Sequence, residues 1–437
     1  MAIVFVLIAL LVVAVLVTGN WYVWRRLFRD TTKGPGAVRR AGAVVIAGGW
    51  ALAVGALVAE RGGAPFRLQQ VLAWPGFLWL ALALYLLLAV LAGELVRPVL
   101  RRVLERRARA SEEAAAAVPA EPEPIPAGQG AGRGPGGATG AEAAGDGPAA
   151  DGGASGPQEA PSAPSRRLFV SRVVGGAAAA AAVGTVGYGT YGVLRGPRVK
   201  RVTVPLAKLP RAAHGYRIAV VSDIHLGPVL GRGFAQKVVD TINSTQPDLI
   251  AVVGDLVDGS VKDLGPAAAP LAQLRARHGS FFVTGNHEYF SGAEQWVEEV
   301  RRLGLNPLEN ARTELPHFDL AGVNDVAGED EGQGPDYAKA LGDRDRGRAC
   351  VLLAHQPVQI HDAVDHGVDL QLSGHTHGGQ LFPGNLVAGL ANPTLAGLDR
   401  YGDTQLYVSR GAGAWGPPTR VGAPSDITVI ELASKQA

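Results

Sequence analysis

Long apolar stretches dominate the first hundred residues of this sequence. Predominantly apolar runs extend over residues 2–22, 41–59 and 71–95. Each is close to the ~20 residues with which a helix crosses ~30 Å of hydrocarbon, so we predict three transmembrane helices within residues 1–109. A cleaved signal peptide is the competing interpretation of the first run. The absence of a basic segment before it and the two runs that follow favour retention.

Basic residues cluster beside these runs and predict their orientation. The first cluster separates the first two runs and the second follows the third: Arg25, Arg26, Arg29, Lys33, Arg39 and Arg40, then Arg97, Arg101, Arg102, Arg106, Arg107 and Arg109. The positive-inside rule places both clusters in the cytoplasm. Glu60 and Glu94 lie only near the ends of the runs, so the sequence does not indicate the ion pathway of a transporter or sensor.

The next hundred residues contain a linker and a fourth apolar segment. Residues 110–165 are rich in Ala, Gly, Pro and Glu, a composition that predicts a disordered linker. Residues 166–199 begin with paired arginines before a mildly apolar stretch, 173–194. This pattern resembles a twin-arginine export signal, and a fourth membrane span with a basic flank is the alternative. In either case we expect a multi-pass protein of the cell membrane with an extracytoplasmic carboxyl-terminal domain, although the basic residues at 195–201 leave the charge bias of this segment undecided.

From residue 216 onward the pattern changes to short apolar runs separated by amphipathic segments, which is typical of a mixed α/β domain. We predict strands at 218–221, 249–253, 281–283, 350–354 and 370–372. Polar residues follow each run: Asp223 and His225; Asp255 and Asp258; Asn286 and His287; His355; His375 and His377. Because ligands bind at the carboxyl ends of strands in open α/β sheets, these side chains are expected to meet.

The chemistry of these side chains predicts a metal centre. Carboxylate, imidazole and amide ligands suit two divalent ions such as Mn, Fe or Zn. Two such ions need a shared anion, and Asp255 is the candidate bridge. The sequence has a single cysteine, Cys350, which excludes an intramolecular disulfide and a Cys-rich zinc site. A formal net charge of +2 with dispersed basic runs argues against nucleic acid as a partner.

The motifs resemble those of the calcineurin-like metallophosphoesterases. The matching patterns are D-x-H at 223–225, G-D-x-x-D at 254–258, G-N-H-E at 285–288, His355 and G-H-x-H at 374–377. The run G-H-T-H-G-G-Q at 374–380 and the Ser-Arg-Gly-x-Gly run at 409–413 are similar to the membrane-tethered branch of that family. The resemblance implies a four-layer α-β-β-α sandwich over residues 200–437, preceded by the transmembrane helical region.

The same resemblance implies a role for each ligand. One ion would be held by Asp223, His225, Asp255 and His377. The other would be held by Asp255, Asn286, His355 and His375. His287 would be the catalytic residue that contacts the phosphate and assists the leaving group. Asp258 has two interpretations, support for the ligands or a plain turn residue, and the first is favoured.

The predicted activity is hydrolysis of a phosphomonoester, phosphodiester or pyrophosphate by water activated between two metal ions. A membrane-tethered binding or signalling module without turnover is the alternative. The apolar segment 383–398 either lines a groove for an acyl chain or membrane, or packs as a core hairpin. The first interpretation suggests a lipid-linked substrate, such as the UDP-acylsugar hydrolysed by a related membrane-tethered branch. The sequence does not indicate the oligomeric state.

Overall fold

The predicted membrane runs all fall within long helices. The computed structural model describes residues 2–116 and 166–436. Its amino-terminal helices are α1 (Ala2–Trp24), α2 (Ala37–Arg61), α3 (Phe66–Ala116) and α4 (Arg166–Leu194). In the described part of the chain, α2, α4 and the stretch Phe66–Ser111 of α3 are long and apolar enough to cross a membrane, by length and composition. Membrane crossing by α1, a helix of 23 residues, stays a prediction.

Helix α3 runs past the predicted start of the linker at residue 110. Its last turns are built from Arg, Leu, Glu and Ala, which are strong helix formers, and it ends at Ala116. The rest of the predicted linker lies outside the described residues. The use of residues 166–194 as a retained span or an export signal stays open, because the structure shows only that a helix begins at Arg166.

Two six-stranded sheets form the centre of the region beyond α4, counted over the described residues. Their orders are β1-β12-β2-β3-β4-β5 and β10-β11-β9-β8-β7-β6. The strands are β1 (Arg198–Leu206), β2 (Tyr216–Val221), β3 (Leu249–Val253), β4 (Ser280–Val283), β5 (Asn306–Pro307), β6 (Ala311–Glu314), β7 (Asp319–Gly322), β8 (Cys350–Leu353), β9 (Leu370–Ser373), β10 (Gly397–Tyr401), β11 (Thr404–Val408) and β12 (Asp426–Ser434). The five predicted strands are confirmed as β2, β3, β4, β8 and β9.

The helices of this region are α5 (Arg232–Ser244), α6 (Val261–Ala268), α7 (Asn286–Ser291), α8 (Ala293–Arg302), α9 (Tyr337–Leu341), α10 (Ile360–Asp365) and α11 (Gly384–Ala391). Helices α5, α6 and α8 cover the outer face of the first sheet, and α9 and α10 cover that of the second. Ile218, Val351 and Leu372 belong to a buried cluster between the sheets. Trp296 of α8 packs outside the first sheet, and Leu341 of α9 packs outside the second. The predicted α-β-β-α sandwich is therefore confirmed.

Strand β12 holds the first sheet together between elements distant in sequence. It pairs in parallel with β1, where Arg198 lies opposite Asp426, and antiparallel with β2. Strands β2, β3 and β4 are parallel, as are β7, β8 and β9. The carboxyl ends of β2, β3 and β4 in one sheet and of β8 and β9 in the other therefore face a common edge of the sandwich.

The amino-terminal helices contact the sandwich directly. Val229 packs against a small cluster that contains Ala56 of α2 and Phe77 of α3. The Tyr85 hydroxyl of α3 donates a hydrogen bond to the Phe382 carbonyl oxygen at 2.9 Å. Further along the interface, the hydroxyls of Thr190 and Thr419 lie 2.7 Å apart. The helical region and the sandwich are thus in direct contact at several places.

Candidate metal centre

The backbone at the strand ends adopts an unusual conformation. Five of the predicted ligands have left-handed φ angles: Asp223 (51°), His225 (48°), Asp255 (52°), His375 (72°) and His377 (52°). Non-glycine residues seldom occupy this region, and such strain concentrates at functional sites. The left-handed turns aim successive side chains of each short motif toward one centre.

Glycines allow these turns to approach one another. At Gly254, with φ of 73°, an added Cβ would lie 2.5 Å from His355 Nδ1 and 2.7 Å from the Gly285 Cα. An added Cβ on Gly285 would overlap the Asp255 carboxylate. The absence of side chains at both positions therefore brings the turn after β3 against the turn after β4 and the ligand that follows β8.

The first group of ligand atoms comes from Asp223, His225 and His377, whose ligand atoms all lie within 4.8 Å of one another. The Nε2 atoms of the two rings are 3.0 Å apart, and His377 Nε2 is 3.3 Å from Asp223 Oδ1. All three residues are buried. Two ring nitrogens and a carboxylate oxygen converging away from water form a donor set that fits a divalent ion.

The second group comes from Asp255, His355 and His375, with the Asn286 amide beside it. Asn286 Oδ1 lies 3.0 Å from His375 Nδ1. His355 Nδ1 lies 2.9 Å from the Val253 carbonyl oxygen, so a neutral ring that donates there presents the lone pair of Nε2 to Asp255 Oδ2 at 3.1 Å. Among the described residues this buried Nε2 has no hydrogen-bond partner. A cation between the two acceptors would satisfy both, so these residues also fit a metal ion.

Asp255 lies between the two groups. Its Oδ2 atom is 3.1 Å from His355 Nε2 and 3.8 Å from His225 Nε2. Its Oδ1 atom accepts a hydrogen bond of 2.9 Å from the His287 backbone N–H. Burial raises the pKa of Asp255, but before ions bind the protonated His355 and His225 rings outweigh it and hold the pKa below its usual range. Bound cations would take the place of those ring protons. A single ionised carboxylate therefore reaches both candidate ion positions.

Asp258 connects a ligand to the predicted catalytic residue. Its Oδ1 atom lies 2.9 Å from His225 Nδ1 and 2.7 Å from His287 Nδ1. Burial raises the pKa of Asp258, but the two imidazoles outweigh it and lower the pKa to about 2. Burial lowers the pKa of His287, but the hydrogen bond to Asp258 and the nearby carboxylates raise it to about 9. The contacts correspond to the favoured interpretation of Asp258, support for a ligand.

Comparison with known proteins identifies a family. The calcineurin-like phosphoesterase family matches residues 216–379. A metallophosphoesterase of Aquifex aeolicus is 35% identical over 243 residues, which cover 54% of this chain and 92% of that protein. This chain belongs to the calcineurin-like phosphoesterase family. The predicted family resemblance is therefore confirmed.

Two further relatives match at similar identity. A "transmembrane protein with metallophosphoesterase domain" of Danio rerio is 39% identical over 264 residues, covering 57% of this chain and 60% of the relative. A metallophosphoesterase of Helicobacter pylori is 40% identical over 250 residues, covering 56% of this chain and 67% of the relative. The chain thus spans about three fifths of the length of the zebrafish relative.

The metallophosphoesterase site also contains residues that sequence reasoning missed. The Glu288 carboxylate accepts hydrogen bonds from the backbone N–H groups of Gly285, Asp255 and Leu256, at 2.6, 3.0 and 2.8 Å. It therefore ties together the turns after β3 and β4. Glu288 follows Asn286 and His287 in the G-N-H-E motif, and that position was the available signal in the sequence.

Arg420 is the second missed residue. Its buried guanidinium lies 3.1 Å from His377 Nδ1 and donates to the carbonyl oxygens of His377 and Gly413. Burial lowers the pKa of Arg420 to about 10. No motif in the sequence surrounds Arg420, so only the folded structure connects it to the metal centre.

An apolar rim borders the metallophosphoesterase centre on the His287 side. The rings of Phe290 and Trp415 each lie 5.6 Å from the His287 ring, centroid to centroid. Both are exposed. The Gln380 side chain accepts from the Trp415 backbone N–H and donates to the Trp415 carbonyl oxygen. The rim is thereby attached to the loop that carries His377.

Proposed function

We propose that the chain hydrolyses phosphoesters with two divalent ions bound at the centre between the sheets. The observation that carries this proposal is the position of Asp255, whose Oδ2 atom lies within 4 Å of a ring nitrogen from each ligand group. Paired cations need such a shared carboxylate to overcome their mutual repulsion. The activity, like the two-ion composition, is our proposal for this chain.

Seven side chains would hold the ions. Asp223, His225 and His377 would bind one, Asn286, His355 and His375 would bind the other, and Asp255 would bind both. The donor set suits Mn, Fe or Zn. Ions bound there would supply Lewis acidity toward phosphoryl oxygens and make a coordinated water more acidic. The left-handed turns and the hydrogen bonds of Glu288 hold the ligands in position before binding.

His287 would act on the leaving group. Burial lowers the pKa of its ring, but before ions bind the hydrogen bond to Asp258 and the nearby carboxylates raise it to about 9, and Asp258 fixes the Nδ1 side of the ring. Nε2 is then the nitrogen from which a proton can be given to the departing oxygen. A positioned general acid contributes about 10²–10⁴-fold to a rate.

The substrate and the side of the membrane are also proposals. The exposed apolar rim beside His287 supports a phosphoester linked to a lipid, for example an acylated sugar nucleotide. The basic clusters flanking α2 and α3 support placement of the sandwich outside the cytoplasm of a cell-membrane protein. Protease applied to intact cells should degrade residues 200–437, and complete protection of that region would contradict this orientation.

The decisive experiment uses the full chain in detergent, stripped of metal by chelation and resupplied with Mn, Fe or Zn. Hydrolysis of p-nitrophenyl phosphate and bis-p-nitrophenyl phosphate should appear only with metal. Asp255→Asn should lower kcat by about 10³-fold or more, because a bridging ligand matters more than outer partners whose loss costs ~10–100-fold. Asp403→Asn, at an exposed turn, is the matched control. Metal-loaded protein that hydrolyses nothing across a broad phosphoester panel would instead support the binding module.

A further inference from the structure

Helix α11 presents an apolar surface with no protein partner in the described part of the chain. None of its residues, all of which the structure describes, is buried. Leu386, Val387 and Leu390 are exposed by 62%, 70% and 90%, and Phe382 just before the helix is exposed by 51%. No Asp, Glu, Lys, Arg or His occurs from residue 378 to residue 398. The core-hairpin interpretation of residues 383–398 is therefore wrong for α11, and so large an apolar surface implies a partner.

The segment that leads into α11 is attached to the membrane helices. Leu381 packs against a buried cluster that contains Val23 of α1, Ala81 of α3 and Val186 of α4. The hydrogen bond from Tyr85 to the Phe382 carbonyl oxygen fixes the next residue to the same bundle. The exposed surface of α11 therefore continues the apolar surface of helices that are long enough to cross a membrane.

The position of Tyr85 along α3 indicates how deep in the membrane the segment before α11 is attached. Phe77 belongs to the cluster against which Val229 of the sandwich packs. Tyr85 lies about 12 Å further along α3, since a helix rises ~1.5 Å per residue. The path from Phe77 to Tyr85 leads toward Arg97 and the basic cluster at the far end of α3. Helix α11 is thus attached within the apolar stretch of α3, on the bilayer side of the contact with Val229.

We propose that α11 lies inside the bilayer, in contact with lipid hydrocarbon, beside α3 and α4. The occupant of its apolar surface is the same bilayer that holds this chain's own spans. A helix of eight residues is too short to cross a membrane, so it lies in one leaflet. Water-exposed leucines would cost ~25 cal/mol per Å² of apolar surface, whereas lipid removes that cost.

The proposal has a consequence for the substrate, and this consequence rests on the proposed function. Only a short turn separates His377 from α11, and Gln380 within it hydrogen-bonds to Trp415, which faces His287. The metal centre therefore opens beside the lipid headgroups. The substrate class is a phosphoester on a lipid that stays in the leaflet while its leaving group lies against His287.

Depth-dependent fluorescence quenching tests the location of α11. Cys350 is fully buried, so an added cysteine provides the accessible labelling site. Leu390→Cys in the full chain is labelled with bimane and reconstituted into phosphatidylcholine vesicles with nitroxide on the acyl chain. Tyr188→Cys, on the exposed face of α4, is the lipid-facing control, and Asp403→Cys is the water-facing control.

The expected result is that the label at residue 390 behaves like the label at 188. It should be quenched severalfold more by acyl-chain nitroxide than by aqueous iodide, and the label at 403 should show the reverse. A label at 390 that iodide quenches as strongly as the label at 403 overturns the proposal. This measurement does not depend on turnover. Inactivity of the wild-type chain would therefore contradict the proposed function and leave the placement of α11 in the bilayer unchanged.

A second measurement tests the substrate class. The double variant Leu386→Asn and Leu390→Asn should lower hydrolysis of a phosphoester lipid in vesicles by about tenfold relative to hydrolysis of p-nitrophenyl phosphate. Because α11 has no buried residue within the described chain, these changes leave the core of the sandwich intact. An unchanged ratio of the two rates contradicts the delivery of substrate from the leaflet.

Discussion

Two segments that follow each other along the chain place their side chains in opposite surroundings. The first, residues 375–379, carries imidazoles into the interior between two sheets. The second, α11, carries leucine and valine side chains to the surface. Ordinary proteins bury the apolar residues and expose the polar ones, and a departure in either direction is the informative observation.

On the two proposals above, each segment takes a different outside partner. Bound cations would satisfy the buried ring nitrogens and carboxylates that face one another, because desolvated polar atoms without partners are costly. Hydrocarbon would cover the exposed leucines for the equivalent reason. Since Gln380 and Trp415 connect the two segments, the metal centre and the proposed lipid contact are held in one fixed relation.

The largest effect is expected when the proposed proton donor is removed from the metal centre while the proposed metal ligands are kept. His287→Gln should lower kcat by about 10²–10⁴-fold while bound metal is retained, because His287 contacts Asp258 and Asp255 without being a proposed ligand. The loss should be larger for an alkyl phosphate than for p-nitrophenyl phosphate, whose leaving group needs no proton. Steady-state kinetics and metal analysis measure both effects. Equal losses for both esters, with loss of metal, would show a structural role instead.

A smaller effect is expected from changing Glu288, whose carboxylate holds the ligand-bearing turns in position. Glu288→Gln replaces a carboxylate that accepts three backbone N–H groups by an amide that cannot accept them all. Unfolding free energy should fall by about 1–3 kcal/mol, and metal affinity by about 10–100-fold. Calorimetric metal titration and chemical unfolding provide the measurements. Glu298→Gln, at an exposed position of α8, is the matched control and should change neither quantity.

The smallest effect concerns the apolar side. Tyr85→Phe removes the hydrogen bond to the Phe382 carbonyl oxygen, which is worth about 0.5–1.5 kcal/mol. Local opening of residues 381–391 should become about 2–10-fold more frequent. Hydrogen exchange of these amides should speed up by that factor while exchange in β3 is unchanged. An unaltered exchange rate in α11 would mean that packing of Leu381 alone attaches the segment.

Sequence patterns predicted the strand ends well because two simple signals coincide there. A buried strand appears as a short apolar run, and a ligand appears as a polar residue directly after it. The predicted ligands Asp223, Asp255, His355 and His377 accordingly lie together, with His287 beside them. Their assignment to particular ions stays a prediction.

Other features depended on information that is not local in sequence. The ligands adopt left-handed backbone angles in the turns after the strands, and no run of residue types specifies that conformation. Arg420 reaches His377 from a loop without a motif. Segment 383–398 was ambiguous because eight apolar residues with glycine fit a strand, a helix or a loop equally well. The folded chain forms the exposed helix α11 there.

The position of β12 determines the order in which this protein can be assembled. Because β12 lies between β1 and β2, both of those strands await a partner that follows every other strand of the two sheets along the chain. The amino-terminal helices precede the sandwich along the chain and can form from local contacts, whereas the first sheet needs a pairing across most of the domain, which is slow to form. The helical region can therefore form before the sandwich is complete, and the candidate ligands after β2 gain their final geometry late in folding.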